Sequence, residues 1–323
     1  MILRLDSPAA AGDWCAEQRE EGASIGFVPT MGALHDGHLE LVRRAVAEND
    51  RACVSVFVNP LQIDDPGDLA GYPRDWEGDG ELLQGVGCHM VFTGTLEGFF
   101  PGRLDATGAL PAEEHADPGP AATGLEGQYR QGHFGGVATI VRRLFEVVRP
   151  TRAYFGEKDF QQCLVVEHVA RQLTGGPEVI TCPTAREESG LARSSRNERL
   201  TAEERRKAVV LHRALGAARR AWSEGARDAA LLSRVMHEVL SGEPELTVEY
   251  AEVRDPACWS AGPPDGELQK AQALVAARLG AVRLIDNLRL DGPSSGPSPE
   301  AAPEEAPRAA GESALEREGG GAG

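Results

Sequence analysis

The sequence predicts an α/β fold, a doubly wound parallel sheet over residues 1–184 followed by a smaller α+β domain over residues 185–291. Three observations carry this reading. Short apolar runs alternate with helix-period segments from the start of the chain to about Thr184, the pattern of a parallel sheet covered by helices on both faces. The polar segments Pro29–His38, Asn59–Gln62 and Gly156–Asp159 fall just beyond predicted strands, where such sheets bind ligands. Past Ala185 the order changes to helices followed by strands, which marks a separate unit.

The predicted strands of the first domain are Ile25–Val28, Ala52–Val58, His89–Phe92, Ala153–Phe155 and Glu178–Cys182. Pro29, which lacks an N–H, is expected to end the first ladder and open a turn. The helix Leu39–Glu48 carries an apolar stripe of Leu39, Leu41, Val42 and Ala45, with Arg43 and Arg44 on the solvent side. Further helices are expected at Asp79–Gly85, Gly136–Val148 and Gln161–Leu173. Residues 101–124, rich in Gly, Pro, Ala and acids, read as a long loop or lid outside the core. In the second domain a helix runs from Thr201 to Glu224, opened by a Thr201/Glu204 capping box, and another spans Ala229–Leu240. Strands follow at Thr247–Val253, Ala273–Arg278 and Val282–Asp286. Residues 292–323 carry almost no large apolar side chain and are expected to be a disordered tail.

Composition narrows the function. A chain of 323 residues can bury a full core and has room for about two domains. A formal charge of −17 argues against a nucleic-acid surface, which needs clustered Lys and Arg. No apolar run approaches the ~20 residues of a membrane span and no basic-then-apolar leader opens the chain, so a cytoplasmic location is the expectation. The six cysteines show no CxxC spacing, and Cys53, Cys163 and Cys182 sit among apolar residues as reduced thiols would.

The densest motif is Val28-Pro-Thr-Met-Gly-Ala-Leu-His-Asp-Gly-His38, a strand end running into a glycine-bearing turn. Gly37 falls where a helix begins, so free N–H groups and the positive dipole end would face an anion, with His35 and His38 as flanking N–H donors. A bare HxxH reads equally as a solvated loop histidine beside a helix-capping one, and no third ligand at a suitable spacing supports zinc. Four more motifs decide between these readings: Val54-Ser-Val-Phe-Val-Asn-Pro-Leu-Gln62, Gly132-His-Phe-Gly-Gly-Val-Ala-Thr139, Tyr154-Phe-Gly-Glu-Lys-Asp-Phe-Gln-Gln162, and Arg186-Glu-Glu-Ser-Gly-Leu-Ala-Arg-Ser-Ser-Arg-Asn197.

In this order the five motifs closely resemble the pantothenate synthetase family, the pantoate:beta-alanine ligases of the nucleotidylyltransferase superfamily. The resemblance runs from about Gly26 to about Leu290. It implies a Rossmann-like sheet of the nucleotidylyltransferase type. It also implies ATP-dependent condensation of (R)-pantoate with beta-alanine through a pantoyl-adenylate, releasing AMP and pyrophosphate, with Mg2+ accompanying ATP and a homodimer as the assembly. By the family's pattern ATP lies against Met31, Gly32, Ala33, Leu34, His35, Asp36, Gly37 and His38. Gly156, Glu157, Lys158 and Asp159, the backbone of Ala185, and Arg193, Ser194, Ser195 and Arg196 complete that set. His38 is implied as proton donor and phosphate stabiliser, with His35, Lys158 and Arg196 as further catalytic groups. Gln62 and Gln162 match the pair that holds pantoate and beta-alanine, and neutral amides suit a carboxylate that must stay nucleophilic. Asn59, Arg130 and His133 are secondary contacts on that side.

Three positions depart from the pattern: Arg193 stands for a Met, Ile63 for a Phe, and Gly78 interrupts the acids that help hold Mg2+, leaving Asp79 as the candidate ligand. A tRNA-charging enzyme is disfavoured by the charge and leaves Gln62 and Gln162 unexplained. A decayed nucleotide-binding protein is disfavoured by the presence of His35, His38, Lys158 and Arg196.

Overall fold

The structure, a computed structural model, describes residues 2–63 and 66–292. The tail expected to be disordered therefore lies, from residue 293 on, outside the described residues. The chain opens with β1 (Leu3–Leu5), α1 (Pro8–Glu20), β2 (Ile25–Thr30), α2 (Asp36–Glu48), β3 (Arg51–Val56), α3 (Pro66–Ala70), α4 (Trp76–Gly85) and β4 (Met90–Phe92). It continues through α5 (Leu96–Phe99), α6 (Glu126–Tyr129), α7 (His133–Val148), β5 (Arg152–Gly156), α8 (Phe160–Gln172) and β6 (Glu178–Cys182). The C-terminal unit consists of α9 (Ala202–Ala208), α10 (Val210–Ser223), α11 (Ala229–Leu240), β7 (Leu246–Arg254), β8 (Gln272–Leu279) and β9 (Val282–Arg289).

The first six strands form one parallel sheet in the order β1-β4-β3-β2-β5-β6, and the last three an antiparallel sheet in the order β7-β8-β9. This is the doubly wound Rossmann-like arrangement with a smaller α+β unit that the sequence predicts. Alternation along β2 divides the core: Ile25 and Phe27 face a layer with α1, α7 and α8, whereas Val28 packs with Leu39, Val42 and Leu83 of α2 and α4. Strands buried on both faces must be apolar throughout, as these are. The chain steps from β2 through β3 to β4 on one side and places β5 on the other, so the crevice of a switch point opens beyond the carboxyl ends of β2 and β5.

Four expectations are corrected. Pro29 does not end β2, because Pro29 and Thr30 still pair with Ser55 and Val56 of β3. Thr30 turns its carbonyl to β3, where it accepts from Phe57, so the nitrogen of Pro29 faces the β5 side, and β5 pairs only with Gly26 and Phe27. No ladder donor is missed there. Residues 101–124 are irregular but not a lid outside the core: Leu110, Ala116 and Ala121 are buried in the main cluster, and Thr139 Oγ1 accepts the Ala116 N–H at 3.0 Å. The helix expected from Thr201 to Glu224 is two helices parted at Val209, whose N–H turns back to the Lys207 carbonyl. The first strand and helix, β1 and α1, are additional elements. Among the described residues no helix is long and apolar enough to cross a membrane.

Candidate active site

The turn from β2 into α2 is shaped by backbone and by one carboxylate. Gly32 and Ala33 take positive φ values of 84° and 51°. Asp79, in the first turn of α4 and 3% exposed, accepts the N–H groups of Ala33 at 3.1 Å and Leu34 at 2.8 Å. The turn delivers His35 as the N-cap of α2 and His38 as its third residue, and the two make a capping box. Gly37 N–H donates to His35 Nδ1 at 3.2 Å, and His35 N–H to His38 Nδ1 at 3.4 Å. Their rings lie 4.1 Å apart.

Capping and anion binding are therefore not alternatives. Because Nδ1 of each ring accepts, each proton sits on Nε2, which remains available as a donor. Burial, with His35 beside it, pushes His38 down to about 3, and burial with Lys158 and Arg193 nearby lowers His35. Both rings are neutral donors at pH 7. The Gly37 N–H, expected to be free for an anion, is instead taken by the cap.

The facing wall grows from the end of β3. Asn59, 1% exposed, donates to Gln62 Oε1 at 2.8 Å and to the Gly136 carbonyl at 3.2 Å, and accepts the Leu61 N–H at 3.1 Å. Gln62 Nε2 donates to Met31 Sδ at 3.4 Å. His133 Nδ1 donates to the Gln62 carbonyl at 2.8 Å and its Nε2 accepts from Arg130 at 3.1 Å. Burial and the adjacent guanidinium push His133 down to about 4, so it too is neutral. Gly136 must lack a side chain, since a Cβ there would overlap the Leu61 carbonyl against which the first turn of α7 packs.

Cations close the third side. Gly156 ends β5 and Lys158 and Asp159 follow it, and Ser194, Ser195 and Arg196 enter from the linker to the C-terminal unit, with Ser194 Oγ accepting the Arg196 N–H at 3.2 Å. Burial alone would raise Asp159, but Lys158, Arg196 and Arg130 hold it below its ordinary value and ionised. Arg193 Nη1 pairs with Asp36 Oδ2 at 2.7 Å, which ties that linker to the start of α2. From β9, Asn287 donates to the carbonyls of both Glu157 and Lys158 at 2.8 Å while accepting from Gln272 at 2.7 Å.

These walls enclose a cleft of about 230 Å³, and Arg130, Lys158, Asp159 and Ser194 to Arg196 also line a neighbouring chamber of about 650 Å³ that includes residues of β8 and β9. Of the residues picked from sequence, Met31, His35, Gly37 and His38 line the cleft, as do Gly156, Lys158 and Asp159. Ala185, Arg193 to Arg196, Gln62 and Gln162 line it as well. Gly32, Ala33, Leu34, Asp36, Glu157 and Asp79 do not.

Residues 4–289 match the Pantoate-beta-alanine ligase family. The chain belongs to this family. The pantothenate synthetase of Rubrobacter xylanophilus is 47% identical over 290 residues, covering 88% of this chain and 98% of the relative. A crystal structure of pantothenate synthetase from Thermus thermophilus superposes with a TM-score of 0.79 at 42% identity, over 90% of this chain and 99% of that one. The pantoate-beta-alanine ligase from Francisella tularensis, complexed with beta-gamma ATP and beta-alanine, gives a TM-score of 0.70 at 28% identity, over 91% and 99% of the two chains.

Within this ligase frame the metal expectation is the poorest fit. Each oxygen of Asp79 already holds a backbone N–H of the 33–34 turn, and no group of three His, Cys, Asp or Glu able to hold a metal occurs among the described residues. Gly78 permits the Asp75 cap of α4, because a Cβ at 78 would run into the Asp75 carboxylate. Sequence reasoning missed Asn287 and Gln161. Gln161, the neighbour of Gln162, is 2% exposed and pins the 121–126 segment, donating to Ala121 at 2.7 Å and accepting the Glu126 N–H at 3.1 Å. Gln162, the glutamine chosen from the sequence, is the one of the pair that lines the cleft.

Proposed function

We propose that this chain condenses (R)-pantoate with beta-alanine at the expense of ATP, through a pantoyl-adenylate. The observation that carries the reading is the convergence, in one cleft at the switch point, of two neutral Nε2–H imidazoles, the cations Lys158 and Arg196, and the uncharged amides of Gln62 and Gln162. Each set suits one half of the chemistry. A pantoate carboxylate oxygen attacks the α-phosphorus, the bond to the β-phosphate oxygen breaks, and pyrophosphate leaves. The beta-alanine ammonium gives one proton to water, the amine nitrogen attacks the acyl carbon, the acyl–oxygen bond breaks, AMP leaves, and the nitrogen gives a second proton to water as the amide forms.

In-line transfer at phosphorus needs positioning and charge stabilisation rather than a protein nucleophile. His38 Nε2–H, with His35 beside it, would donate to the phosphate as charge develops, and Lys158 and Arg196 would take the leaving phosphates. Met31 to His38, Gly156 to Asp159, Ala185 and Arg193 to Arg196 are assigned to ATP. Gln62 and Gln162 hold the acid and amine substrates without a salt bridge that would quench the nucleophile. Among these residues Gly32, Ala33, Leu34, Asp36 and Glu157 would act by shaping turns. Mg2+ would travel on the phosphates of ATP, as this ion commonly does, and no step is assigned to Asp79 as its ligand.

Domains at 1–184 and 185–291, a homodimer and a cytoplasmic location complete the proposal. Six free cysteines, five of them buried, fit a reducing compartment. The test is AMP formation by the purified chain from ATP and Mg2+. AMP and pantothenate in equal amounts, only with pantoate and beta-alanine both present, support the ligase; no pantoate-dependent turnover overturns it.

A further inference from the structure

A cluster of buried charge that the chemistry above does not use lies between the parallel sheet and the C-terminal unit. Glu126, the first residue of α6, has a side chain only 9% exposed and receives both terminal nitrogens of Arg283 from β9, Nη1 to Oε2 at 2.9 Å and Nη2 to Oε1 at 2.5 Å. Tyr250 Oη donates to the same Oε1 at 2.8 Å. Arg283 Nε donates to Glu249 Oε2 at 2.7 Å, and Arg278 holds the other oxygen of Glu249 at 2.9 Å.

The sheet is bent to make this cluster. The β7–β8 register shifts between Val248 and Tyr250, a bulge that lets the consecutive residues Glu249 and Tyr250 serve one cluster, where a regular strand would turn one of them away. Burial pushes Glu126 up, but Arg283 outweighs it and holds the carboxyl below its ordinary value, so the pair is ionised. Desolvating both charges is costly, and a hydrophobic pair could cement two units as well. What distinguishes the ion pair is what Glu126 touches next.

Arg130, one turn further along, donates its backbone N–H to the Glu126 carbonyl at 2.8 Å, and its guanidinium stands 3.9 Å from Glu126 Oε2. That guanidinium also reaches His133 Nε2 at 3.1 Å and the Gln62 carbonyl at 3.5 Å. A chain of direct contacts thus runs from β9 through Glu126 and Arg130 to the residue facing the acid substrate. We propose that Glu126 and Arg283 are positioning residues for the pantoate side of the cleft, setting α6 against the C-terminal unit so that α6 seats Arg130 on Gln62. The proposal rests on the ligase reading given above.

Steady-state kinetics on the full chain test it, with Arg283→Met, Glu126→Gln and the double variant. Each single variant is expected to raise the pantoate KM by roughly 2- to 30-fold, the span of coupling along contact networks, with the ATP KM unchanged. The double variant should be no worse than the worse single one, and Arg283→Lys should recover part of the loss. A merely structural role would lower the folded fraction, and so kcat, with both KM values intact. If Arg283→Met fails to fold, Tyr250→Phe removes one bond from Glu126 without stranding a charge and should shift the pantoate KM alone by a smaller factor. An unchanged pantoate KM in an active enzyme, or an ATP KM that rises with it, overturns the coupling alone. A wild-type chain without pantoate-dependent turnover overturns the ligase reading, and this inference with it.

Discussion

Lowering the pH from 8 to 5 should strip stability from the histidine wall. His38 and His133 titrate near 6.5 when unfolded but are held to about 3 and about 4 in the fold, first of all by burial. A base whose folded value is depressed contributes stability that is complete above the unfolded value and lost as the pH falls through it toward the folded value. Integrated to pH 5, each imidazole costs about 2 kcal/mol, together about 4 kcal/mol of a total that is about 5–15 kcal/mol for a typical protein. His35, His89 and His212, also lowered, steepen the loss, and the raised carboxyls of Asp79 and Glu157 oppose it. The decisive quantity is therefore the difference between wild type and His38→Gln, a residue that suits the third position of a capping box. Urea unfolding measured at half-unit steps should show the variant losing about 1.2 kcal/mol less between pH 6 and 5. Equal slopes would refute the neutral state of His38. The same depression predicts that kcat shows no titration near pH 6.5.

His38→Ala should reduce turnover by roughly 10²- to 10⁴-fold, the range for removing a positioned donor at a charged transition state; a near-normal rate would take His38 out of the mechanism. Gln62→Ala should raise the pantoate KM more than the ATP KM, and equal effects would contradict its assignment. Asn287→Leu removes three hydrogen bonds, two of them to the carbonyls flanking the Lys158 turn, and should lower stability by about 3 kcal/mol while raising the ATP KM and sparing that for pantoate. A stable variant with an unaltered ATP KM would show that the clamp is dispensable.

Much of the site could be read from the chain because its parts are local. A strand, a turn and a helix start within eleven residues place His35 and His38, and Lys158 lies within four residues of a strand end, so periodicity alone brings them to one edge of the sheet. Elements without a strong pattern were missed. The first helix is alanine-rich, and its clearest mark is Ser7 before Pro8, where Ser7 Oγ accepts the Ala10 N–H at 3.3 Å. The three residues of β1 acquire meaning only by pairing with β4.

The sequence by itself determined the order of the strongly patterned strands and helices, the layered sheet and the motifs at the carboxyl ends of the strands, since these follow from apolar period and short-range turn chemistry. Only the tertiary structure decided that Pro29 stays within its strand, that Gln161 pins the 121–126 segment, that Asp79 holds a turn, and that Glu126 finds Arg283 across 157 residues. Those outcomes depend on which side of a backbone is left unpaired and on which charges can be buried only together. Such constraints exist only once distant segments have displaced the water between them.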